Sequence, residues 1–452
     1  MIDAIRLLGE RQFADALGTV VSTSKPVDKF IHLKGRSKQF EDVMQAIFAK
    51  GKHVFILGER GVGKTSLAKT VGIAGSNSNS QHFRQIGCSS DTTFDDLMRQ
   101  IIGVFKPSRL NTIVKSSSFK FGSWLGFDVS LGKQESVTPP PKLTAPLAAD
   151  ILASLDDDQS NNLRVVVIDE VDRLVDPNVR LQLAELVKLL GDRGAQMTLI
   201  FTGVGTDLEQ ILGAHPSSFR QFKQIRLDRI DYQTSLDIID DALGKFDLNW
   251  DIEPMRTARF RIASISNGFP YYVHLLVEKL LYILYADKSA SNVTLEHLRS
   301  SIASAVDDAQ MEIRKPYDKA TTGRTDRYKH AAWAVADSLD LERKTGDIYK
   351  SDSGVCNVVD QKPITNAQFL QVLASLKRDA YGPLLKTGYR SGMYEYVENI
   401  VRGYLRLCAS ADGVELQDLQ PISQQMTQIA SREKRYQNPA SRGSAPRGFE
   451  RP

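Results

Sequence analysis

The segment Gly58-Glu-Arg-Gly-Val-Gly-Lys-Thr65 constrains the fold of this chain more than any other feature. It follows an apolar run, His53-Val-Phe-Ile-Leu57, that predicts a strand, and it precedes a stretch of helix-forming residues. A strand, a glycine-rich turn and a helix N-terminus form the context in which the pattern G-x-x-x-x-G-K-[ST] binds phosphate groups. The predicted nucleotide-binding residues are therefore Gly58, Glu59, Arg60, Gly61, Val62, Gly63, Lys64, Thr65 and Ser66.

The residue types in this loop match the chemistry of a triphosphate. Glycines allow the left-handed backbone that turns successive N–H groups toward the phosphates. Lys64 is expected to reach the β- and γ-phosphates, and the Thr65 hydroxyl is expected to ligate Mg²⁺. We count Lys64 as a catalytic candidate because its charge lies where negative charge develops during phosphoryl transfer.

A second motif is the β-branched run Val165–Ile168, which ends in Asp169 and Glu170. Such a run is typical of a strand buried on both faces of a parallel sheet, and ligands bind beyond the carboxyl ends of these strands. Asp169 is expected to complete the Mg²⁺ site, and Glu170 to orient or deprotonate the attacking water. Alone, the two acids also fit a helix N-cap. Together with the phosphate loop they predict a site for ATP or GTP with Mg²⁺.

Composition excludes several other classes of protein. The 452 residues suffice for two to four domains, and 42 % hydrophobic and 25 % charged residues are ordinary for a soluble globular chain. A net charge of +4 is too small to indicate nucleic-acid binding by itself, and three dispersed cysteines indicate reduced thiols. No apolar stretch predicts a signal peptide or a membrane span, so we expect a cytoplasmic protein with no membrane partner.

The pattern along the chain predicts an α/β fold: a P-loop NTPase core with a parallel sheet, a helical lid and a C-terminal winged-helix domain. Strands alternate with helices up to residue 230, whereas helical periodicity alone follows from Asp231. A helix at Thr365–Leu376 and strands near Pro383–Gly388 and Met393–Val397 indicate the winged helix. The predicted units are an N-terminal helix (1–27), the core (28–230, with a hairpin insertion at 106–142), the lid (231–312), the winged helix (313–412) and a basic tail without a core (413–452).

This assembled pattern resembles the AAA+ ATPases, in particular their origin-recognition/initiator-like and STAND-like (signal-transduction ATPase) branches. The resemblance covers residues 28–285 well and the winged helix more weakly. The segments that support it are Gly35-Arg36, Gly58–Thr65, Val165–Glu170, Phe201–Leu208, Ser217–Arg220 and Gly268-Phe-Pro270.

The resemblance implies two further catalytic residues. Aligned on Gly203, the polar group that senses the γ-phosphate falls at Thr206, and Thr202 is the alternative. Arg220 occupies the place of an arginine finger, which a neighbouring subunit would insert beside the γ-phosphate; Arg226 and Arg229 are competitors.

The lid departs from the initiator pattern. Initiators place an arginine three residues after this glycine, where the present chain has Tyr271, and Gly268-Phe-Pro270 matches STAND proteins instead. The resemblance therefore places Pro270 at the nucleotide and implies slow turnover, because one cation near the γ-phosphate is missing. His274, one helical turn beyond Pro270, is either a nucleotide contact or a packing histidine.

Two functions remain open. The first is an ATPase that forms homo-oligomers under ATP control and acts on DNA through the winged helix; ATP is favoured over GTP because no N-K-x-D motif occurs. The second is a STAND-like signalling or antiviral-defence switch, whose winged helix is autoinhibitory and recruits a protein effector. The predicted recognition helix at Thr365–Leu376 has no Lys or Arg and is a poor groove reader, whereas Lys386 and Arg390 suit phosphate contacts. A binding protein without hydrolysis is disfavoured by Glu170.

Overall fold

The computed structural model describes residues 3–21, 23, 26, 29–77, 81–105, 142–154, 163–205, 208–213, 220–289 and 292–416. The predicted hairpin insertion lies outside these ranges except for its last residue. The predicted sensor Thr206 and the part of the predicted tail after residue 416 also lie outside the described residues. Within the described ranges, no helix is both long and apolar enough to cross a membrane.

A five-stranded parallel sheet forms the centre of the core, as the alternation of strands and helices predicts. Its spatial order is β2-β3-β4-β1-β5. The strands are β1 (His53–Gly58), β2 (Phe83–Gly87), β3 (Arg164–Asp169), β4 (Met197–Gly203) and β5 (Phe222–Leu227). Because β4 lies between β1 and β3, the ends of these three strands meet at one edge of the sheet.

The sheet is buried on both faces, which explains why its strands are continuous apolar runs rather than alternating ones. In β1, Val54 and Ile56 belong to one hydrophobic cluster, whereas Phe55 and Leu57 belong to the other. Phe55 stacks on Phe201 of β4 with ring centroids 5.8 Å apart. Each fully buried apolar side chain of this kind stabilises the fold by about 1.5–3 kcal/mol.

Helices cover both faces of the sheet, close to the positions that periodicity predicts. Those of the core are α3 (Ser37–Phe48), α4 (Lys64–Gly75), α5 (Phe94–Phe105), α6 (Ala145–Ala153), α7 (Pro177–Asp192) and α8 (Leu208–Leu212). Local sequence sets their starts. Pro177 is at the first helical position of α7, and the Asp176 side chain accepts a hydrogen bond from the Asn178 N–H.

The N-terminal segment forms two helices rather than the single one predicted. They are α1 (Asp3–Arg6) and α2 (Glu10–Val20). The break falls just before Gly9, which precedes the first residue of α2 and starts a new helix there. Phe13 of α2 stacks on Tyr285 of the lid at 4.2 Å, so the N-terminal segment packs on the lid.

The lid is helical, in agreement with its helical periodicity and with the interruption predicted at Gly268-Phe-Pro270. Within the described part of the lid, the helices are α9 (Tyr232–Gly244), α10 (Met255–Ser266), α11 (Pro270–Ala286) and α12 (Leu295–Asp308). Pro270 occupies the first turn of α11, where a missing N–H has no cost.

Residues 311–416, here called the C-terminal unit, contain the helices that periodicity predicts at Tyr328–Leu339 and Thr365–Leu376, the two predicted strands and additional elements. The elements are α13 (Met311–Thr321), α14 (Asp326–Ala336), β6 (Arg343–Lys344), α15 (Thr345–Val358), α16 (Asn366–Ser375), β7 (Leu385–Thr387), β8 (Met393–Tyr396) and α17 (Ile400–Ala411). The strands form an antiparallel sheet in the order β6-β8-β7. Helices α13 and α15 and strand β6 were missed, since β6 is only two residues long and α15 has weak apolar periodicity.

Candidate nucleotide-binding site

The phosphate loop joins β1 to α4 at the carboxyl edge of the sheet, as the sequence predicts. Gly63 precedes Lys64, the first residue of α4, with φ at +95°, a conformation that side chains strongly disfavour. The Nζ atom of Lys64 donates to the Glu59 carbonyl oxygen at 2.7 Å, so the lysine folds back over the loop. This is the arrangement in which a loop surrounds an anion with backbone N–H groups and one ammonium.

Three polar side chains, from α4, β2 and β4, converge on Asp169 at the end of β3. Thr65 Oγ1 donates to Asp169 Oδ1 at 3.1 Å, and Gln85 Nε2 donates to Asp169 Oδ2 at 3.2 Å. Thr202 also donates its hydroxyl proton to Asp169 Oδ1. Asp169 is only 7 % exposed, which gives its hydrogen bonds a low-dielectric environment.

Thr65 and Asp169 fit a shared divalent cation. Two ligands that occupy adjacent corners of an octahedron at about 2.1 Å from Mg²⁺ are roughly 3 Å apart. The observed separation of 3.1 Å between Thr65 Oγ1 and Asp169 Oδ1 matches this value. Hydroxyl and carboxylate oxygens are also the ligand types that Mg²⁺ prefers.

Glu170 is held in a conformation unusual for a residue with a side chain. Its φ is +58°, and its N–H donates to Thr202 Oγ1 at 3.2 Å. Its Oε2 lies 3.2 Å from Arg173 Nε. Burial, with the negative charges of Asp169 and Asp172, raises the pKa of Glu170, while Arg173 lowers it. A carboxylate with a raised pKa suits proton abstraction from water.

Burial determines the direction in which the pKa of Lys64 shifts. Burial lowers the pKa of Lys64 to about 8, and the charges of Asp172, Asp169 and Glu170 oppose this shift. The ammonium is thus predominantly protonated at neutral pH and poised to bind an anion.

The Gly35-Arg36 pair has a structural role that the sequence did not reveal. Arg36 is 6 % exposed and donates from Nη2 to the carbonyl oxygens of Val62 and Asp228, at 3.1 and 2.5 Å. It therefore ties the phosphate loop to the segment that follows β5. Gly35 is needed beside it because a Cβ there would lie 2.7 Å from Thr234 Cγ2.

A cleft of about 1330 Å³ opens over the phosphate loop. Its walls are the loop and the acids Asp169 and Glu170, the lid residues Pro270, Tyr271 and His274, and residues 397–400 of the C-terminal unit. Pro270, the predicted nucleotide contact, thus lines this cleft. Gly268 allows the lid to approach closely, since a Cβ at Gly268 would lie 2.4 Å from the Ile230 carbonyl oxygen.

Thr202, the alternative sensor residue, lies beside the paired acids Asp169 and Glu170. Thr202 bonds both Asp169 and the Glu170 N–H, whereas Thr206 lies outside the described residues. The placement of Thr202 follows from the strand order, because β4 separates β1 from β3.

The three candidate arginines occupy different places. Arg226 and Arg229 line the cleft, and Arg229 donates to the Asn267 and Leu339 carbonyl oxygens at 3.1 and 3.4 Å. Arg220 does not line the cleft. Its carbonyl oxygen accepts a hydrogen bond from Lys52, just before β1 begins, so it lies at the sheet edge opposite the phosphate loop.

The C-terminal unit contacts three consecutive residues of the phosphate loop, a feature that the sequence analysis missed. Asn399 Nδ2 donates to Glu59 Oε1 at 2.7 Å, and Arg60 forms an ion pair with Glu312. Ile400 packs on Gly61 so closely that a Cβ on this glycine would lie 2.5 Å from Ile400 Cδ1. No local pattern marks these partners, because Asn399 and Glu59 are 340 positions apart.

Comparison with known proteins places residues 49–212 in the family described as AAA domain. The Walker-type ATPase PABY2304 of Pyrococcus abyssi shares 16 % identity, covers 84 % of this chain and 98 % of its own, and gives a TM-score of 0.49. The Aeropyrum pernix ORC2 protein, solved as ADPNP–ADP complexes, shares 12 % identity over 87 % of this chain and 97 % of its own, with a TM-score of 0.47. No curated protein matches the sequence significantly.

The family match spans the phosphate loop, Asp169, Glu170 and Thr202, the residues that the structure gathers at the carboxyl edge of the sheet. The parallel sheet and the loop-to-helix geometry are those of a P-loop nucleotide-binding fold. Residues 49–212 therefore form an AAA domain with a P-loop nucleotide-binding fold, which binds and hydrolyses ATP.

Proposed function

We propose that this AAA+ protein is a Mg²⁺-dependent ATPase that assembles with copies of itself in the ATP state and acts on DNA. Within this family we place it near the origin-recognition/initiator-like branch. The observation that most supports the proposal is the division of catalytic groups: the phosphate loop and the acids share one cleft, whereas Arg220 lies away from it.

In the proposed mechanism, the loop N–H groups and Lys64 bind the β- and γ-phosphates. Mg²⁺, when held by Thr65 and Asp169, neutralises phosphate charge. Glu170 accepts a proton from the water that attacks the γ-phosphorus, and Thr202 holds the Glu170 backbone and Asp169 in register through its two hydrogen bonds.

The position of Arg220 supports the proposed assembly. The five residue steps from His53 to Gly58 span about 17 Å of strand, so Arg220 is too far from its own phosphate loop to contact a bound nucleotide. An exposed arginine in this place is available to a neighbouring subunit. We propose that it stabilises the charge on the γ-phosphoryl group in trans.

Arg220→Ala is expected to lower the kcat of ATP hydrolysis by about 10³-fold or more and to reduce ATP-dependent assembly. Size-exclusion chromatography coupled to light scattering, with a non-hydrolysable ATP analogue and with ADP, measures assembly. Arg299→Ala is the matched control, because this exposed arginine pairs with Glu296 of the same lid helix α12, away from the cleft. Hydrolysis and elution of Arg220→Ala that equal those of the parent would remove this residue from the site.

DNA contact is proposed through the C-terminal unit, which we interpret as a winged helix with β7, β8 and residues 388–392 as its wing. Tyr389 at the tip of the wing is 90 % exposed, and Arg390 beside it is exposed as well. The recognition candidate α16 contains no Lys or Arg in the structure either. The wing therefore suits backbone contacts better than α16 suits base contacts.

Binding to a duplex of mixed sequence is expected at low ionic strength and to weaken as salt rises. Arg390→Ala should reduce the slope of log K against log salt by about 1, the effect of losing one phosphate contact. Fluorescence anisotropy at several salt concentrations measures both quantities. Lys362→Ala, on an exposed loop outside the wing, serves as the control. Absence of any binding at low salt contradicts the DNA proposal.

A second candidate, a STAND-like switch with an autoinhibitory winged helix and a protein effector, has one specific observation in its favour. The contacts of Asn399, Glu312 and Ile400 with the phosphate loop are those of a unit held closed over the nucleotide site. If DNA binding fails while the ATP analogue still changes the size of the particle, this second candidate is favoured. A role in antiviral defence is proposed only as part of this second candidate.

A further inference from the structure

The C-terminal unit packs on the lid through a buried interface, here called the seam. Lid helices α10 and α12 both pack against α17 of the C-terminal unit. At the seam, Tyr272 of α11 is fully buried, and its hydroxyl group donates to the Ile400 carbonyl oxygen at 2.7 Å. A Cβ on Gly403 would lie 2.2 Å from Tyr272 Cε2, so this glycine allows α17 to lie directly against the ring. Burial of a large aromatic side chain with its hydroxyl group paired stabilises the seam strongly.

The contact between the C-terminal unit and the phosphate loop is polar, and its buried groups are incompletely paired. Asn399 Nδ2 donates to Glu59 Oε1 at 2.7 Å, yet Glu59 Oε2 and Asn399 Oδ1 are buried without a hydrogen-bond partner among the described residues. The ion pair of Arg60 with Glu312 is partly exposed, with 30 % and 61 % of the two side chains accessible. Exposed ion pairs contribute little to stability, and buried oxygen atoms without a donor oppose the contact. The C-terminal unit is therefore held less firmly to the phosphate loop than to the lid.

The chain crosses between the core and the rest of the molecule at two places, and Arg36 lies at both. The helices and strands of the core lie within residues 36–228, so the chain enters the core after Gly35 and leaves it before Arg229. Arg36 is buried and donates to the Asp228 carbonyl oxygen at 2.5 Å, which fixes the second crossing beside the first. The two crossings are thus held together on the core side and can serve as one hinge.

Immediately after the second crossing, the hydrogen bonds go to the lid and the C-terminal unit. The Ile230 N–H donates to the Gly268 carbonyl oxygen at 2.9 Å. Arg229 donates to the Asn267 carbonyl oxygen of the lid at 3.1 Å and to the Leu339 carbonyl oxygen of the C-terminal unit at 3.4 Å. Arg229 therefore ties the lid to the C-terminal unit, and the hinge lies just before it.

We propose that the lid and the C-terminal unit form one rigid body that turns about this hinge, so that ATP opens the contact at the phosphate loop and leaves the seam intact. A winged helix that swung away from the lid on its own would have to break the buried seam at Tyr272. Opening at the phosphate loop breaks the weaker contacts of Asn399, Glu312 and Ile400 instead. The inference rests on the proposed binding of ATP by the phosphate loop and concerns its regulation.

A bound triphosphate acts on the weaker contact through charge. Lys64 donates to the carbonyl oxygen of Glu59, the residue whose side chain Asn399 holds. When Lys64 turns to the phosphates, this carbonyl oxygen loses its partner and the loop is freed to shift. The phosphates also compete with Glu312 for Arg60 and repel the carboxylate of Glu59. ATP, with one more phosphate group than ADP, therefore weakens the contact more than ADP does.

Distances between pairs of spin labels, measured by pulsed electron–electron double resonance on the full chain, test the proposal. The labels are placed at exposed positions of the three parts: Glu185→Cys in the core, Arg299→Cys in the lid and Lys362→Cys in the C-terminal unit. The native cysteines are buried, so the introduced ones react preferentially. Dilution with unlabelled protein removes distances between subunits, and isothermal titration of the same samples measures nucleotide binding.

A non-hydrolysable ATP analogue should change the distance between positions 185 and 362 by more than about 2 Å relative to ADP, the size of a domain rearrangement. The distance between positions 299 and 362 should stay the same. If both distances change by similar amounts, the C-terminal unit moves independently of the lid and the proposal is overturned. It is overturned as well if both nucleotides bind while the distance between positions 185 and 362 is unchanged.

A double variant tests the hinge without nucleotide. Asn399→Ala combined with Glu312→Ala removes two polar side chains that hold the phosphate loop, so positions 185 and 362 should move apart while positions 299 and 362 keep their distance. Asp347→Ala combined with Lys350→Ala removes an exposed ion pair of α15 and is the matched control. If no nucleotide binds to the parent, the proposed ATP site fails, and the double variant still decides whether the rigid body exists. Unchanged distances in it, or a changed distance between lid and C-terminal unit, overturn the proposal.

Discussion

Lys64→Ala is expected to weaken the binding of MgATP by at least about 100-fold, which corresponds to roughly 3 kcal/mol. The Lys64 ammonium is half-buried beside the loop and donates to the Glu59 carbonyl oxygen, so it is positioned to meet the β- and γ-phosphates. Charge-assisted bonds in such a low-dielectric place are the strong ones. Isothermal titration calorimetry of the folded variant measures the change.

The pH dependence provides an independent check on the same residue. Burial lowers the pKa of Lys64 to about 8, so the free protein loses this charge as the pH rises through that value. ATP affinity should therefore decrease above about pH 8, and binding there should be accompanied by proton uptake. In Lys64→Ala both effects should vanish. Lys69→Ala on the same helix, outside the cleft, should retain parental binding; tight binding by Lys64→Ala would contradict the assigned role.

The sequence predicts the core well because its signals are local. The loop Gly58–Thr65 and the run Val165–Ile168 each carry their structural context within a few residues, and both lie where predicted. The residue that senses the γ-phosphate is harder to predict from the sequence, because its place beside the acids depends on the order of the strands in the sheet. Only the placement of β4 between β1 and β3 shows that Thr202 meets Asp169.

Contacts between distant segments explain what sequence analysis missed. The C-terminal residues Glu312, Asn399 and Ile400 have no motif of their own, yet each contacts the phosphate loop. Long-range pairing of this kind leaves no periodicity in the chain.

Glu170→Gln is expected to retain MgATP binding while lowering kcat by about 10²–10⁴-fold, the usual contribution of a general base. Glutamine preserves the shape of the side chain and cannot accept the proton from water. The Glu170 carboxylate lies at the end of β3, next to the Mg²⁺ site proposed at Thr65 and Asp169, so its loss affects the chemical step more than binding. Single-turnover hydrolysis and titration with MgATP measure the two effects separately.

Because Glu170→Gln is expected to bind ATP without hydrolysing it, this variant also tests whether ATP binding drives assembly. If ATP rather than its hydrolysis drives oligomer formation, this variant should stay assembled in ATP long after the parent has returned to the ADP form.

The pH profile gives a second test, because burial and the neighbouring acids raise the pKa of Glu170. In the parent, kcat should fall as the pH drops through this raised pKa, since a protonated Glu170 cannot take up the proton of water. Glu185→Gln, an exposed position on α7, is the control, and hydrolysis by Glu170→Gln at the parental rate would assign the water-activating role to another residue.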